Sequence, residues 1–116
     1  MHELAIAQSI VDVVEAWATE CNAARVKSVR LQIGEASGVV ADSLGFCFEM
    51  LTSFDPVLAG AQLSIDVLPH RARCLHCAKE FAITDFVARC PTCNEWTNEI
   101  VSGTELEVLD MEFDAS

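Results

Sequence analysis

Four of the six cysteines form two Cys-x-x-Cys pairs, Cys74 with Cys77 and Cys90 with Cys93, and twelve residues separate the pairs. A Cys-x-x-Cys turn directs two sulfurs towards one ion, and four thiolates suit tetrahedral zinc at roughly 2.3 Å. Four such ligands leave no coordination position for water, so this site would be structural rather than catalytic. Disulfides or a redox pair are the alternatives, but two pairs at this spacing are typical of a zinc ribbon.

The residues beside the cysteines add detail to this prediction. Asn94 and Ala78 each follow a Cys-x-x-Cys turn, at a position where zinc ribbons commonly have glycine. Asn tolerates the left-handed conformation well, and Ala less so. His76, inside the first turn, is either an exposed turn residue or a pH-sensitive neighbour of the metal. His70, at the entrance of the region, is interpreted as a hinge residue rather than a ligand.

The chain begins Met1-His2-Glu3, a second candidate for metal chemistry. Because residue 2 is bulky, the initiator methionine should stay in place. The α-amine, two backbone amide nitrogens and the imidazole of His2 can then face one ion in a plane, which favours square-planar Ni(II) or Cu(II) over zinc. A histidine at position 2 is more often only an exposed terminal residue, so this pattern alone is a weak signal.

Hydrophobic periodicity predicts two helices and three strands outside the cysteine region. The helices cover residues 3–22 and a segment that starts at Asp42, and the strands cover 28–34, 62–67 and about 104–113. The apolar stripe of the first helix contains Ile6, Ile10, Val13, Val14, Trp17 and Cys21. Cys21, together with Cys47 on the second helix, is therefore predicted to be a buried small hydrophobic residue.

The predicted fold is α+β, with two helices packed on a three-stranded β-sheet and an inserted zinc-ribbon module. Residues 1–69 plus 103–116 are expected to form the α/β domain, and residues 70–102 the zinc-binding module. Pro69 and Ser102-Gly103 are natural breaks at the two boundaries.

Composition excludes several classes of function. The 116 residues are 52% hydrophobic and carry seven Lys+Arg against eighteen Asp+Glu, a net charge of −11. Such a charge repels nucleic acid, and no apolar run reaches the roughly 18 residues of a membrane span. The cysteine pattern suits a cytoplasmic protein with reduced thiols. We find no phosphate-binding glycine loop and no nucleophile paired with a base, so we expect no enzyme.

Motifs along the whole chain resemble the HypA/HybF family of hydrogenase nickel-incorporation proteins. They are Met1-His2-Glu3-Leu4, Gln8-Ser9, Val29-x-Leu31-x-Ile33-Gly34-x-x-Ser37, Phe46-x-Phe48-Glu49, Pro69, the two cysteine pairs with Cys90-Pro91, and Gly103-x-Glu105-Leu106. Ala36 stands where leucine is expected in that family, a small loss of volume.

The resemblance implies a nickel metallochaperone for [NiFe]-hydrogenase maturation. It implies that His2 binds Ni(II) with the amine of Met1 and the backbone nitrogens of His2 and Glu3, that the Glu3 side chain supports the site, and that Cys74, Cys77, Cys90 and Cys93 hold structural Zn(II). The implied partners are a HypB-type GTPase, the hydrogenase large subunit and, for some members, urease maturation proteins. A monomer and a homodimer both remain open, as do a zinc-ribbon interaction module without nickel and a small metalloenzyme.

Overall fold

The computed structural model describes residues 3–116, which form two compact units. The first, here called the helical unit, takes the chain up to Gln32, Val39–Asp66 and Glu107–Ser116. The second, the cysteine unit, takes Ile33–Gly38 and Val67–Leu106. The elements follow in the order α1 (Glu3–Glu20), β1 (Ala23–Gly34), a 3₁₀ turn (Glu35–Ser37), α2 (Ala41–Thr52), β2 (Gln62–Leu68), β3 (Arg71–Arg73), β4 (Glu80–Ala82), β5 (Ile100–Ser102) and β6 (Leu106–Ala115).

The predicted α+β fold is confirmed. Strands β2, β1 and β6 form a three-stranded sheet with β1 in the centre, and α1 and α2 contact each other. On β1, Val29 and Leu31 are buried while Arg30 between them is exposed, as the alternating pattern predicts. Buried residues of both helices and of β1 make the core of the helical unit, among them Ile10, Val14, Val26, Val29, Leu31, Leu44 and Phe48.

The buried face of α1 differs from the predicted one. Its buried residues are Ala7, Ile10, Val11, Val14 and Ala18. The prediction missed the two alanines because a short side chain contributes little to a hydrophobic pattern, yet it allows a neighbouring helix to come close. Burial of Val13 and Cys21 was wrongly predicted: Val13 is 39% exposed, and Cys21 is exposed because it follows the last residue of α1. Cys47 on α2 is half-buried.

The cysteine unit contains the second sheet, with strand order β4-β3-β5. Strand β3 pairs antiparallel with β4, Arg71 opposite Ala82 and Arg73 opposite Glu80. This unit has a small core of buried residues, which are Ala72, Cys74, Phe81, Ile83 and Cys90. Cys74 and Cys90 are also candidate metal ligands. So small an apolar cluster needs an additional crosslink to hold a fold. Within residues 3–116, no helix combines the length and the apolar character that crossing a membrane requires.

Candidate metal centre

The two Cys-x-x-Cys turns have the same backbone geometry. In the first, the N–H of Ala78 donates to the carbonyl oxygen of Cys74 at 2.9 Å; in the second, the N–H of Asn94 donates to that of Cys90 at 2.8 Å. Ala78 and Asn94 both have a positive φ, 63° and 65°. The left-handed conformation expected at these positions is therefore present in both turns, and alanine bears the larger steric cost.

The four sulfurs meet at one point. The Sγ atoms of Cys74 and Cys93 are 3.2 Å apart and those of Cys77 and Cys90 are 3.6 Å apart, so each of these two pairs joins one turn to the other. All four Sγ atoms lie within 4.8 Å of one another, and none of the six cysteines, all within the described range, forms a disulfide. A tetrahedral ion with bonds of roughly 2.3 Å places its sulfurs about 3.8 Å apart, so the cluster fits such an ion.

Backbone N–H groups make two of the thiols acidic. The N–H of Cys77 donates to the sulfur of Cys74 at 3.5 Å and is the main cause that lowers the pKa of Cys74. The N–H of Cys93 acts in the same way on Cys90 and lowers its pKa to about 6. Each turn therefore stabilises a thiolate at its first cysteine, which is the form that binds a metal ion.

The second cysteine of each turn shows the opposite shift. At Cys93 the N–H of Glu95 acts to lower the pKa, but the neighbouring sulfur of Cys74 and burial prevail and raise it to about 12. At Cys77 the N–H of Lys79 is likewise outweighed by burial and by the sulfurs of Cys74 and Cys90, so its pKa is raised. The first cysteine of each turn thus favours the thiolate and the second favours the thiol, and a bound divalent cation would displace the remaining protons.

The histidines near this centre have different surroundings. His76, in the first turn, is exposed. His70 is 9% exposed and lies edge-on to the ring of Phe86, with 5.7 Å between ring centroids. Neither belongs to the sulfur cluster, which among residues 3–116 is the one group of three or more His, Cys, Asp or Glu side chains whose ligand atoms converge.

Of the three residues predicted to form the nickel site, the structure describes Glu3. Met1 and His2 are outside the described residues. Glu3 is the first residue of α1, and its Oε2 accepts a hydrogen bond from the backbone N–H of Val40 at 3.4 Å. This link across 37 residues is absent from the sequence prediction, because no local pattern marks Val40 as its partner.

Sequence reasoning also missed the contacts that surround the cysteine turns. Arg89 stacks on the ring of Trp96, with 4.5 Å from the guanidinium carbon to the ring centroid. Arg73 pairs with Glu80 at 3.1 Å and with Glu99 at 3.6 Å. The equal number of acids and bases in residues 70–102 is visible in the sequence, whereas the pairing depends on the sheet register. Exposed pairs of this kind contribute little to stability individually.

The chain is similar to known proteins along almost its whole length. A family model described as hydrogenase/urease nickel incorporation, metallochaperone, HypA, matches residues 1–113. The hydrogenase maturation factor HypA of Geobacter metallireducens is 43% identical over 112 residues, 97% of this chain and 98% of that protein. The Streptomyces avermitilis protein of the same name is 40% identical over 116 residues, 98% of this chain and 88% of that one.

The fold has a solved counterpart. The solution structure of the Ni metallochaperone HypA from Helicobacter pylori matches with a TM-score of 0.71 and 24% identity over the full length of both chains. Helices on a three-stranded sheet, together with four converging thiols on a small ribbon, define a small α+β metal-binding protein. With the family model matching nearly its whole length, the chain belongs to the HypA family.

Proposed function

We propose that this chain is a nickel metallochaperone that binds Ni(II) at its N-terminus and delivers it for maturation of a [NiFe]-hydrogenase. The observation that carries the proposal is the match to the nickel-incorporation family over residues 1–113, because this range includes the Met1-His2-Glu3 sequence. In this proposal the α-amine, the backbone nitrogens of His2 and Glu3 and the imidazole of His2 are the ligands.

The chemistry of these ligands suits a carrier. Deprotonated nitrogens in a plane favour square-planar Ni(II). The amine and the imidazole must both lose a proton, so affinity falls in mildly acidic conditions, which gives a route to release. Residues 1–69 plus 103–116 would form the nickel-binding domain.

The four cysteines are proposed to hold structural Zn(II), with residues 70–102 as the zinc-binding domain. Support comes from the donor set, four thiols that converge within 4.8 Å, and from the small core that includes Cys74 and Cys90. Zinc, when bound, supplies a tetrahedral crosslink between the two turns and no open position for catalysis.

The proposed partners are a HypB-type GTPase and the large subunit of the hydrogenase. Urease maturation proteins are a further class of proposed partner. No glycine-rich phosphate loop is present in the sequence, so the nucleotide chemistry would belong to the GTPase. A cytoplasmic location, expected from the reduced cysteines, is part of this proposal.

The decisive experiment measures nickel and zinc separately. Untagged protein, protein extended by a few residues ahead of Met1, and a His2→Ala variant are titrated with Ni(II) by calorimetry, and their zinc is quantified by native mass spectrometry. We expect the extension and His2→Ala to abolish tight nickel binding while about one zinc per chain stays bound. His76→Ala is the matched control, because it also removes a histidine, but an exposed one of the cysteine unit that is not a proposed nickel ligand. Undiminished nickel affinity in both altered proteins would refute the N-terminal site.

A further inference from the structure

The outer side of α2 carries an unpaired row of large apolar side chains. Phe46 is 67% exposed, Met50 49% and Phe54 98%. The three side chains are spaced by four residues. Phe54 lies two positions after Thr52, the last residue of α2, and the intervening Ser53 keeps helical backbone angles. Such an i, i+4 row is the ridge by which one helix packs into the groove of another. Its apolar area, on the order of 400 Å², is in the range of functional patches on monomers.

The surroundings of this row are acidic throughout. Helices α1 and α2 and the loop 53–61 contain seven acidic residues and no Lys or Arg: Glu3, Asp12, Glu15, Glu20, Asp42, Glu49 and Asp55. Asp42 and Glu49 are exposed on the same side of α2 as the row. The three basic residues of the helical unit, Arg25, Lys27 and Arg30, all lie on β1. A partner is therefore attracted to this side if its own rim is basic.

Gly45 is an independent indication that another backbone comes close here. It lies inside α2, where glycine is less favourable than alanine. A Cβ built on Gly45 meets no atom within 4 Å, so packing within the chain does not require glycine. Gly45 instead lines an open groove of about 320 Å³ beside α2, together with Glu49, Thr52, Gly60 and Leu63.

We propose that the ridge of Phe46, Met50 and Phe54, with the groove at Gly45, is the docking site for a basic amphipathic helix of a partner protein. The inference rests on the proposed function, since a metallochaperone must dock on the protein that receives its cargo. A second copy of this chain brings the same acidic layer and a net charge of −11, so it is repelled. Anionic lipid surfaces and nucleic acids are repelled for the same reason.

The test uses a designed probe of this chemistry. A fluorescein-labelled helical peptide of about 18 residues, with a leucine stripe flanked by lysines, is titrated with the zinc-loaded full chain. A second peptide carries glutamate in place of lysine. We expect the lysine peptide to bind at least about tenfold more tightly, with an affinity that falls between about 50 and about 300 mM salt, and to shift amide signals of residues 42–54 in NMR spectra.

Variants locate the site. The double variant Phe46→Ser with Phe54→Ser should bind the lysine peptide at least about tenfold more weakly. Met50→Lys should also lower this affinity, because its positive charge repels the lysines of the peptide. Phe86→Ser is the matched control, because Phe86 is an exposed aromatic residue of the cysteine unit, at 75% exposure. Gly45→Ala should raise the melting temperature, because alanine is more favourable inside a helix, and should lower the affinity for the peptide, because its methyl group enters the groove. Folding and zinc content are checked for each variant.

Several outcomes overturn the proposal. They are absence of peptide binding, equal affinity in the ridge variants, equal affinity for the glutamate peptide, and unchanged binding in Gly45→Ala. Sedimentation that shows a wild-type dimer lost in the ridge variants would assign the surface to a second copy, and binding to anionic vesicles would assign it to lipid. None of these readouts involves nickel. Failure of docking is therefore distinct from failure of the N-terminal nickel site.

Discussion

Glu3 and Val40 join the beginnings of the two helices: the Glu3 carboxylate accepts a hydrogen bond from the Val40 N–H at 3.4 Å. Val40 is the N-cap of α2, and its own side chain makes no capping hydrogen bond. In a capping box, a glutamate of the same helix bonds to the N-cap N–H. Here α1 supplies that carboxylate, so the residue next to the proposed nickel ligand His2 is held in place by the start of α2.

Glu3→Ala should lower the free energy of unfolding by about 0.5–1 kcal/mol, because α2 loses the carboxylate that accepts the hydrogen bond of the Val40 N–H. Urea denaturation measures this change. Glu20→Ala, at the other end of α1, is the control: a negative charge at a helix C-terminus is unfavourable, so its removal should be neutral or slightly stabilising. Equal losses in the two variants would contradict the capping role of Glu3.

Glu15 and Asp55 have interacting carboxyl groups whose shifted pKa values make stability depend on pH. The hydrogen bond to Asp55 is the main cause that raises the pKa of Glu15, and burial and the charges of Asp55 and Asp12 add to it. At Asp55 burial acts to raise the pKa, but the N–H groups of Val57 and Leu58, at 2.8 and 3.0 Å, help to lower it. Of the two groups, Glu15 therefore loses its proton at the higher pH and Asp55 ionises first.

The direction of the pH effect follows from these shifts. Folded Glu15 holds its proton more tightly than unfolded Glu15, so its stabilisation is lost as pH rises above 4.5 through the raised pKa. Asp55 has the opposite pH dependence. Its stabilisation is present above pH 3.8, the ordinary pKa of aspartate, and is lost as pH falls through its lowered pKa.

Glu15→Gln, which cannot ionise, should therefore raise the free energy of unfolding at pH 7 by on the order of 0.3 kcal/mol and reduce its decline above pH 4.5. The measurement is a series of urea titrations between about pH 4 and pH 7. Glu20→Gln on the same helix is the control and should leave the decline in place. A Glu15→Gln protein less stable than wild type at pH 7 would contradict this explanation.

If the proposed zinc site holds the cysteine unit together, Cys90→Ser should remove most of the zinc and unfold this unit. Cys90 and Cys74 are members of the small core as well as of the sulfur cluster, so metal and packing are lost together. We expect zinc to fall from about one to near zero per chain in native mass spectrometry. Hydrogen exchange should become fast at Ala72, Phe81 and Ile83.

Cys21→Ser is the matched control for this experiment, because Cys21 is exposed and outside the sulfur cluster. It should keep its zinc and its exchange protection. A chelator added to wild-type protein should reproduce the effect of Cys90→Ser, and a cysteine unit that stays protected without metal would rule out the structural role of zinc.

Gly34→Ala should destabilise the cysteine unit by about 3 kcal/mol, since its new methyl group would overlap the backbone of Gly103. A Cβ at Gly34 would lie 2.0 Å from the carbonyl carbon of Gly103, while its own φ of −78° suits any residue. Gly38→Ala is the comparison: φ is +79° with open space around it, so only the left-handed strain of about 1 kcal/mol applies. Thermal unfolding ranks the two variants, and the reverse order would contradict the close approach.

The local part of this protein could be predicted from its sequence. Helical and alternating periodicities located both helices and all three strands of the helical unit, because each depends on side chains a few residues apart. The Cys-x-x-Cys turns are local in the same sense, and the left-handed Ala78 and Asn94 follow from positions within five residues. The family resemblance was likewise carried by short motifs.

What only the tertiary structure decided depends on residues far apart in the chain. Glu3 reaches Val40 across 37 residues, Arg30 binds Asp110 across 80, and the sulfurs of Cys74 and Cys93 approach to 3.2 Å across 19. The rotated face of α1 and the exposure of Phe46 and Phe54 belong to the same group. Periodicity states that a face is apolar, but whether another element covers it is settled only when all elements have packed.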